Sequence, residues 1–143
     1  MWIFEGKEVT VEEIPEGAIG FVYCITDLRN GKKYVGKKTV FSKRKLPPLK
    51  GKTRRRSKIV ETDWKDYYGS SEDVKQLVED LGRDAFSREI LHFCYNKSEM
   101  SYLELVEQVD RKVLLNDDYY NMFIGVKLHA KGLERLKNGG SKD

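Results

Sequence analysis

Two β-rich runs joined by a tight turn restrict this chain more than any other feature. Phe21-Val-Tyr-Cys-Ile-Thr26 and Lys33-Tyr-Val-Gly36 flank residues 27–32, which contain Asn30-Gly31. β-Branched and aromatic residues suit a pleated backbone, and Asn-Gly supplies the positive-φ positions of a tight reversal, so two antiparallel strands are expected. Ala85 to Tyr95 reads as a third strand. Between them Ser70-Ser71 offers a helix cap, Val74, Leu77, Val78 and Leu81 recur at helical spacing, and Gly82 sits where such a helix stops. Ser98 offers the cap of a second helix, running to about Leu115 with Leu103, Val106 and Val113 along its faces, ended by Asn116-Asp117-Asp118. The expected fold is α+β, a small three-stranded antiparallel sheet flanked by helices. With 143 residues there is room for one domain.

The remaining segments read as additions to that frame. Trp2 to Thr10 alternates around Gly6-Lys7 as a small hairpin, an extension over residues 1–18 ahead of a domain at 19–126. A short helix is expected over Val40 to Lys45, stopped by Pro47-Pro48, because proline lacks an amide donor and disfavours helical geometry in the residue before it. Residues 46–62 then read as a long polar connection, of the kind that is functional or mobile. Tyr119 to Lys127 is mixed apolar with Asn121 in a bend, and residues 127–143 read as a polar tail, expected to fray from Leu133 onward.

Charge is segregated along the chain. Residues 37 to 58 hold eleven Lys or Arg and no Asp or Glu, so the other residues carry 16 basic against 23 acidic groups, −7, within a total of +4. A local positive surface on an otherwise acidic molecule suits a polyanion, and nucleic acid is the leading partner. Cys24 and Cys94 are too few for a disulfide scaffold and, with only His92 and His129, too sparse for a zinc set, which predicts a reduced, intracellular protein. No apolar run approaches the roughly 20 residues that span a bilayer, so no membrane partner is expected. A phosphate-cradling glycine loop and a Ser/His/Asp set are both missing; Gly36-Lys37-Lys38-Thr39 has the end of a P-loop without its preceding glycine.

What stands out instead is Tyr23 and Tyr34, ten residues between them, with Arg44 ten positions further on. Gly20-Phe-Val-Tyr23 and Tyr34-Val-Gly36 resemble the two strands that name the GIY-YIG nucleases. Tyr34-Val-Gly-Lys37 with Phe41-Ser-Lys-Arg44 resembles that family's following helix and arginine. Leu105-Val-Glu107-Gln108 resembles the helix bearing its metal-binding glutamate, and Tyr120-Asn121 the bend with its asparagine. The resemblance runs from Gly20 to Asn121. The first residues and Trp64-Lys-Asp-Tyr-Tyr-Gly69 further resemble the Seg-type endonucleases of tailed bacteriophages. Val22 and Val35 replace the isoleucines of the family name, Phe21 is one extra residue, and Pro48 stands where several members carry a histidine or tyrosine, a role that is then either absent or supplied by the insertion, with Tyr67 and Tyr68 as candidates.

The resemblance implies a DNA endonuclease dependent on Mg²⁺ or Mn²⁺, acting on double-stranded DNA in a bacterial cytoplasm, with a homing-type or DNA-processing role. Tyr23 would take the proton of the attacking water, helped by Lys37; Tyr34 would orient water or phosphate; Arg44 would hold phosphate oxygens; Asn121 would tie the site together. Glu107 would hold the metal, with Glu104 one turn away as the competing candidate. Lys38, Lys43, Lys45, Lys50, Lys52, Arg54, Arg55, Arg56 and Lys58 would contact DNA. The rival reading is a non-catalytic nucleic-acid-binding module, which keeps the basic segment and needs neither Glu107 nor Tyr23.

Overall fold

A computed structural model describes residues 1–126, 128 and 130–139. Its centre is the expected antiparallel set: β3 (Gly20–Asp27) pairs on one side with β4 (Lys33–Thr39) and on the other with β7 (Phe86–Cys94). The sheet is larger than expected, however, with five strands in the order β2-β1-β7-β3-β4. The N-terminal hairpin, β1 (Trp2–Phe4) and β2 (Lys7–Val9), joins it because β1 runs parallel to β7, Trp2 beside Arg88. Burial explains this. Trp2 is 1% exposed, its ring lies 4.7 Å from Phe21, and its Nε1 donates to the Trp64 carbonyl at 2.7 Å. The hairpin turns at Glu5-Gly6, both at positive φ, one residue before the expected Gly6-Lys7.

Alternation gives the sheet two buried faces. Trp2, Phe21, Tyr23, Ile25, Ile90 and Phe93 cluster on one, closed by Val40 and Trp64 and, at its margin, by Leu77 and Val78 of α1 (Glu72–Leu81). A register shift between Val22 and Tyr23 lets Ile90 and Phe93, three apart, share that face. Val22, Cys24, Val35 and Cys94 occupy the other with Met100 of α2 (Lys97–Asp110) and Val113. The α1 helix is capped as expected, Ser71 accepting from the Val74 amide, with Gly82 at φ 89°. The α2 helix is capped by Asn96 rather than Ser98, its side chain accepting from the Glu99 amide at 2.8 Å. It also ends five residues before Leu115, because Lys112 turns left-handed (φ 54°) and sends Val113 into the core.

The expected helix over residues 40–45 is a strand. β5 (Phe41–Leu46) pairs with β6 (Arg56–Glu61), so the 46–62 connection is a hairpin with a nine-residue tip at 47–55. Phe41 packs on the first core cluster, Ile59 and Val60 favour pleated backbone, and Pro47-Pro48 blocks helical continuation. Beyond the sheet, a 3-10 turn at Ala130–Leu133 and α3 (Glu134–Lys137) dock on the start of α2, where Arg135 Nε donates to the buried Glu99 at 2.7 Å. The tail is therefore packed where fraying was expected. Lys127, His129 and Gly140–Asp143, the last of that tail, lie outside the described residues. No helix among the described residues is long and apolar enough to cross a membrane.

Candidate active site

β4 is the outer strand of the sheet, and only its first half is covered. The chain after α2 runs beside it: Lys33 N donates to the Asp118 carbonyl at 2.9 Å and Tyr120 N to the Lys33 carbonyl at 2.7 Å. Tyr120 is pinned by its hydroxyl, which donates to Asp27 at 2.8 Å. Asn121 then does with a side chain what a neighbouring strand does with backbone. Its Oδ1 accepts from Val35 N at 3.0 Å and its Nδ2 donates to the Val35 carbonyl at 2.8 Å; Gln108 Nε2 reaches the same carbonyl at 3.2 Å. Alternate residues of an edge strand point their amides outward, so the next such position is Lys37. Among the described residues nothing pairs with its backbone, and Thr62 Oγ1 closes the edge again at the Thr39 carbonyl, 2.6 Å.

Both faces of the sheet send side chains to this open stretch. On the first, Tyr23 lies against Gly36, where a Cβ would collide with the Tyr23 hydroxyl and ring, so the glycine is what lets the tyrosine reach the edge. Its ring centroid is 6.4 Å from that of Tyr34 and 6.0 Å from that of Tyr67. Tyr23 is fully buried, and among the described residues its hydroxyl has no hydrogen-bond partner. Burial, then the neighbouring Tyr67 and Tyr34, push its pKa well above 10. Tyr34 is raised too, by burial, partly offset by the Ser70 hydroxyl at 3.0 Å. Lys38 Nζ sits 4.2 Å over the Tyr67 ring and 2.6 Å from Asp63.

On the second face, Lys37 Nζ donates to Ser101 Oγ at 2.8 Å and lies 3.9 Å from Glu104. Burial raises the Glu104 pKa above the ordinary carboxylate value, and Lys37 only partly opposes it. Glu104, Tyr34, Ser70, Gln108 and Asn121 line one cleft of about 370 Å³. A carboxylate, an ammonium, a tyrosine hydroxyl and an uncommitted backbone amide thus converge on one opening, a set able to hold a phosphate and a hydrated cation.

Of the residues expected to form the site, the structure brings Tyr23, Tyr34, Lys37 and Asn121 together. Glu107 is not among them. Its carboxylate is 2.7 Å from His92 and 2.9 Å from Arg111; burial alone would raise its pKa, but these two partners outweigh that and hold it below the usual value. The carboxylate at the tyrosines is Glu104. Nor does Arg44 join them: it is exposed on β5, four residues beyond the bend at Val40 and across from Lys58, because the expected helix that would have turned it back is a strand. Of the two tyrosines weighed in place of Pro48, Tyr67 lies beside Tyr23, while Tyr68 lies 4.1 Å from the guanidinium of Arg88. Lys43, Lys45, Lys50, Lys52, Arg54, Arg55, Arg56 and Lys58 are all exposed along the β5–β6 hairpin. The sequence marks Ser70 only as a helix-cap candidate, Gln108 only as the neighbour of Glu107 and Ser101 not at all, since nothing local separates them from ordinary polar residues.

A family model described as "Putative endonuclease segE, GIY-YIG domain" matches residues 2–124. The chain is 31% identical over 127 residues to "Putative endonuclease segE" of Enterobacteria phage T4, an alignment covering 85% of this chain and 51% of that protein. The chain therefore matches about half the length of this curated relative. No solved structure matches.

Proposed function

The chain belongs to the GIY-YIG endonuclease family, in its SegE group, and from that premise we propose that it hydrolyses phosphodiester bonds of double-stranded DNA with the help of one divalent cation. The observation that carries this reading is the convergence of Tyr34, Lys37 and Glu104 at the open stretch of β4.

The donor set suits a hard, oxygen-seeking cation such as Mg²⁺ or Mn²⁺. Glu104 is a hard oxygen ligand with room beside it, and the described residues contain no group of three or more His, Cys, Asp or Glu that would hold zinc. Bound at Glu104, such a cation would neutralise charge on the phosphate oxygens and on the departing alkoxide. The chain's own residues do the rest. The Lys37 ammonium and its outward amide bind the scissile phosphate, and Lys38 steers the flanking strand. Tyr34, held by Ser70, orients the attacking water. Tyr23 is a phenol at neutral pH in the free protein, so it acts first as a hydrogen-bond donor. Taking the water's proton would require its pKa to fall to near neutrality. Even from an unperturbed value near 10 that needs roughly 4 kcal/mol of preferential phenolate stabilisation, which only nearby positive charge can give. Asn121 positions the edge and does not react.

The phage origin of the relative supports a phage-encoded, homing-type or DNA-processing role in a bacterial host. The test is cleavage of supercoiled plasmid by purified protein with Mg²⁺, Mn²⁺ or excess EDTA. Nicks or breaks are expected with either ion and none in EDTA. Tyr23→Phe should slow cutting by about 10² or more. Cutting undiminished in EDTA would remove the cation from the mechanism; no cutting under any condition, with binding retained, would make the chain a DNA-binding module.

A further inference from the structure

We propose that the β5–β6 hairpin is a two-stranded ribbon that enters the DNA major groove and reads bases through Arg44 and Arg56. This rests on DNA being the substrate, as proposed above. Alternation along the pair sorts its side chains into two faces. Phe41, Lys43 and Lys45 share one with Ile59, which is 66% exposed, and only Phe41 at its base packs on the core. Arg44, Arg56 and Lys58 share the other with the half-buried Leu46 and Val60; all three are exposed, Arg44 lies directly across from Lys58, and this is the face that carries both arginines of the paired strands.

Like charges in a directly opposed pair destabilise a hairpin, and a two-stranded ribbon without its own core is marginal to begin with. A polyanion inverts the sign of that cost. The dimensions agree: two strands about 5 Å apart with their side chains match a groove about 12 Å wide, and six residues at about 3.3 Å each give some 20 Å of insertable length. Arginine presents the planar fork that pairs with the O6 and N7 acceptors of guanine, and Arg55 at the tip and Arg56 at the start of β6 also reach back, through Nε, to the Leu46 and Pro47 carbonyls and so stiffen the turn. Because β5 starts two residues after β4 ends, whatever the ribbon reads lies at a fixed offset from Tyr34 and Lys37.

The test uses Glu104→Gln protein, so that cutting does not obscure binding, and a pool of DNA duplexes with a randomised core. The bound fraction should be enriched in a core motif by about tenfold or more. Adding Arg44→Ala and Arg56→Ala should flatten the preference over adjoining base pairs, since one bidentate contact discriminates by roughly 5- to 100-fold. Arg54→Ala should weaken all duplexes alike. Methyl green, a major-groove ligand, should displace the protein, and distamycin, in the minor groove, should not. Lack of enrichment, enrichment that survives loss of both arginines, or displacement by distamycin alone would each overturn the ribbon. A chain that selects a motif yet never cuts in its unsubstituted form would sink the nuclease reading and leave the ribbon standing.

Discussion

Two glutamates three residues apart on α2 have opposite relations to stability. Glu104 has a raised pKa in the folded chain, so the native state holds its proton more tightly than the unfolded one. Stability therefore falls as pH rises from the ordinary carboxylate value through the raised one, and at neutral pH the ionised side chain is a net cost. Glu107 is the reverse: its contribution is present above the unfolded value and fades as pH falls through the depressed one. We expect Glu104→Gln to lower cleavage by about 10² or more while raising Tm by about 2 °C at pH 7. Glu107→Gln should leave cleavage near wild type and lower Tm by a similar amount, losing a half-exposed network worth about 1 kcal/mol. Plasmid cleavage and thermal melts of the two proteins decide it, and inactivity of Glu107→Gln with a wild-type melt would return the metal to Glu107. The sequence placed both acids on one helix but not which strand each faces. Helical spacing separates them by only 60° of arc, and the choice between β4 and β7 is made by Lys37 and His92, on strands outside the helix, with Arg111 one turn on adding to the hold on Glu107.

At the level of elements, local signals were legible where propensity and burial agree. The Asn30-Gly31 turn, the Ser71-to-Gly82 helix and the third strand all have caps, turn residues or β-rich runs that match their tertiary surroundings. The 41–46 strand was illegible because its own residues, Ser42-Lys-Arg-Lys45, hold no β signal; the partner that makes it a strand lies ten or more residues on, at 56–61. The tail was illegible for a related reason, its anchor being the Glu99 side chain. The hairpin yields its own prediction. If about five of its charges meet phosphates, log K should fall against log salt with slope near −4.5, and replacing Arg54, Arg55 and Arg56 by Ala should reduce that slope by roughly 3. An unchanged slope in a binding titration would show that the cluster faces away from DNA.

Across the whole molecule, the end of the described chain is tied to the beginning of α2 through contacts that include an ion pair with a wholly buried partner. Arg135→Ala leaves the Glu99 carboxylate without that guanidinium and should cost about 2 kcal/mol, seen as a Tm several degrees lower in a thermal melt with cleavage per folded molecule unchanged. A wild-type melt would show the tail to be ornamental. The half-covered edge of β4 has a consequence of another kind, for colloidal behaviour. A bare edge strand is a template on which a second chain can polymerise, and every molecule that binds a substrate at its sheet margin runs that hazard. Here the Asn121 amide occupies the first half as a dummy strand, and Lys37 and Lys38 guard the second with charge that repels another copy yet welcomes a polyanion. Asn121→Ala would strip the dummy strand from Val35 and bare its amide, with only Gln108 left on its carbonyl, so the variant should form thioflavin-positive aggregates at concentrations where the parent stays monodisperse. The same two lysines that would receive DNA are then what keeps the protein from receiving itself.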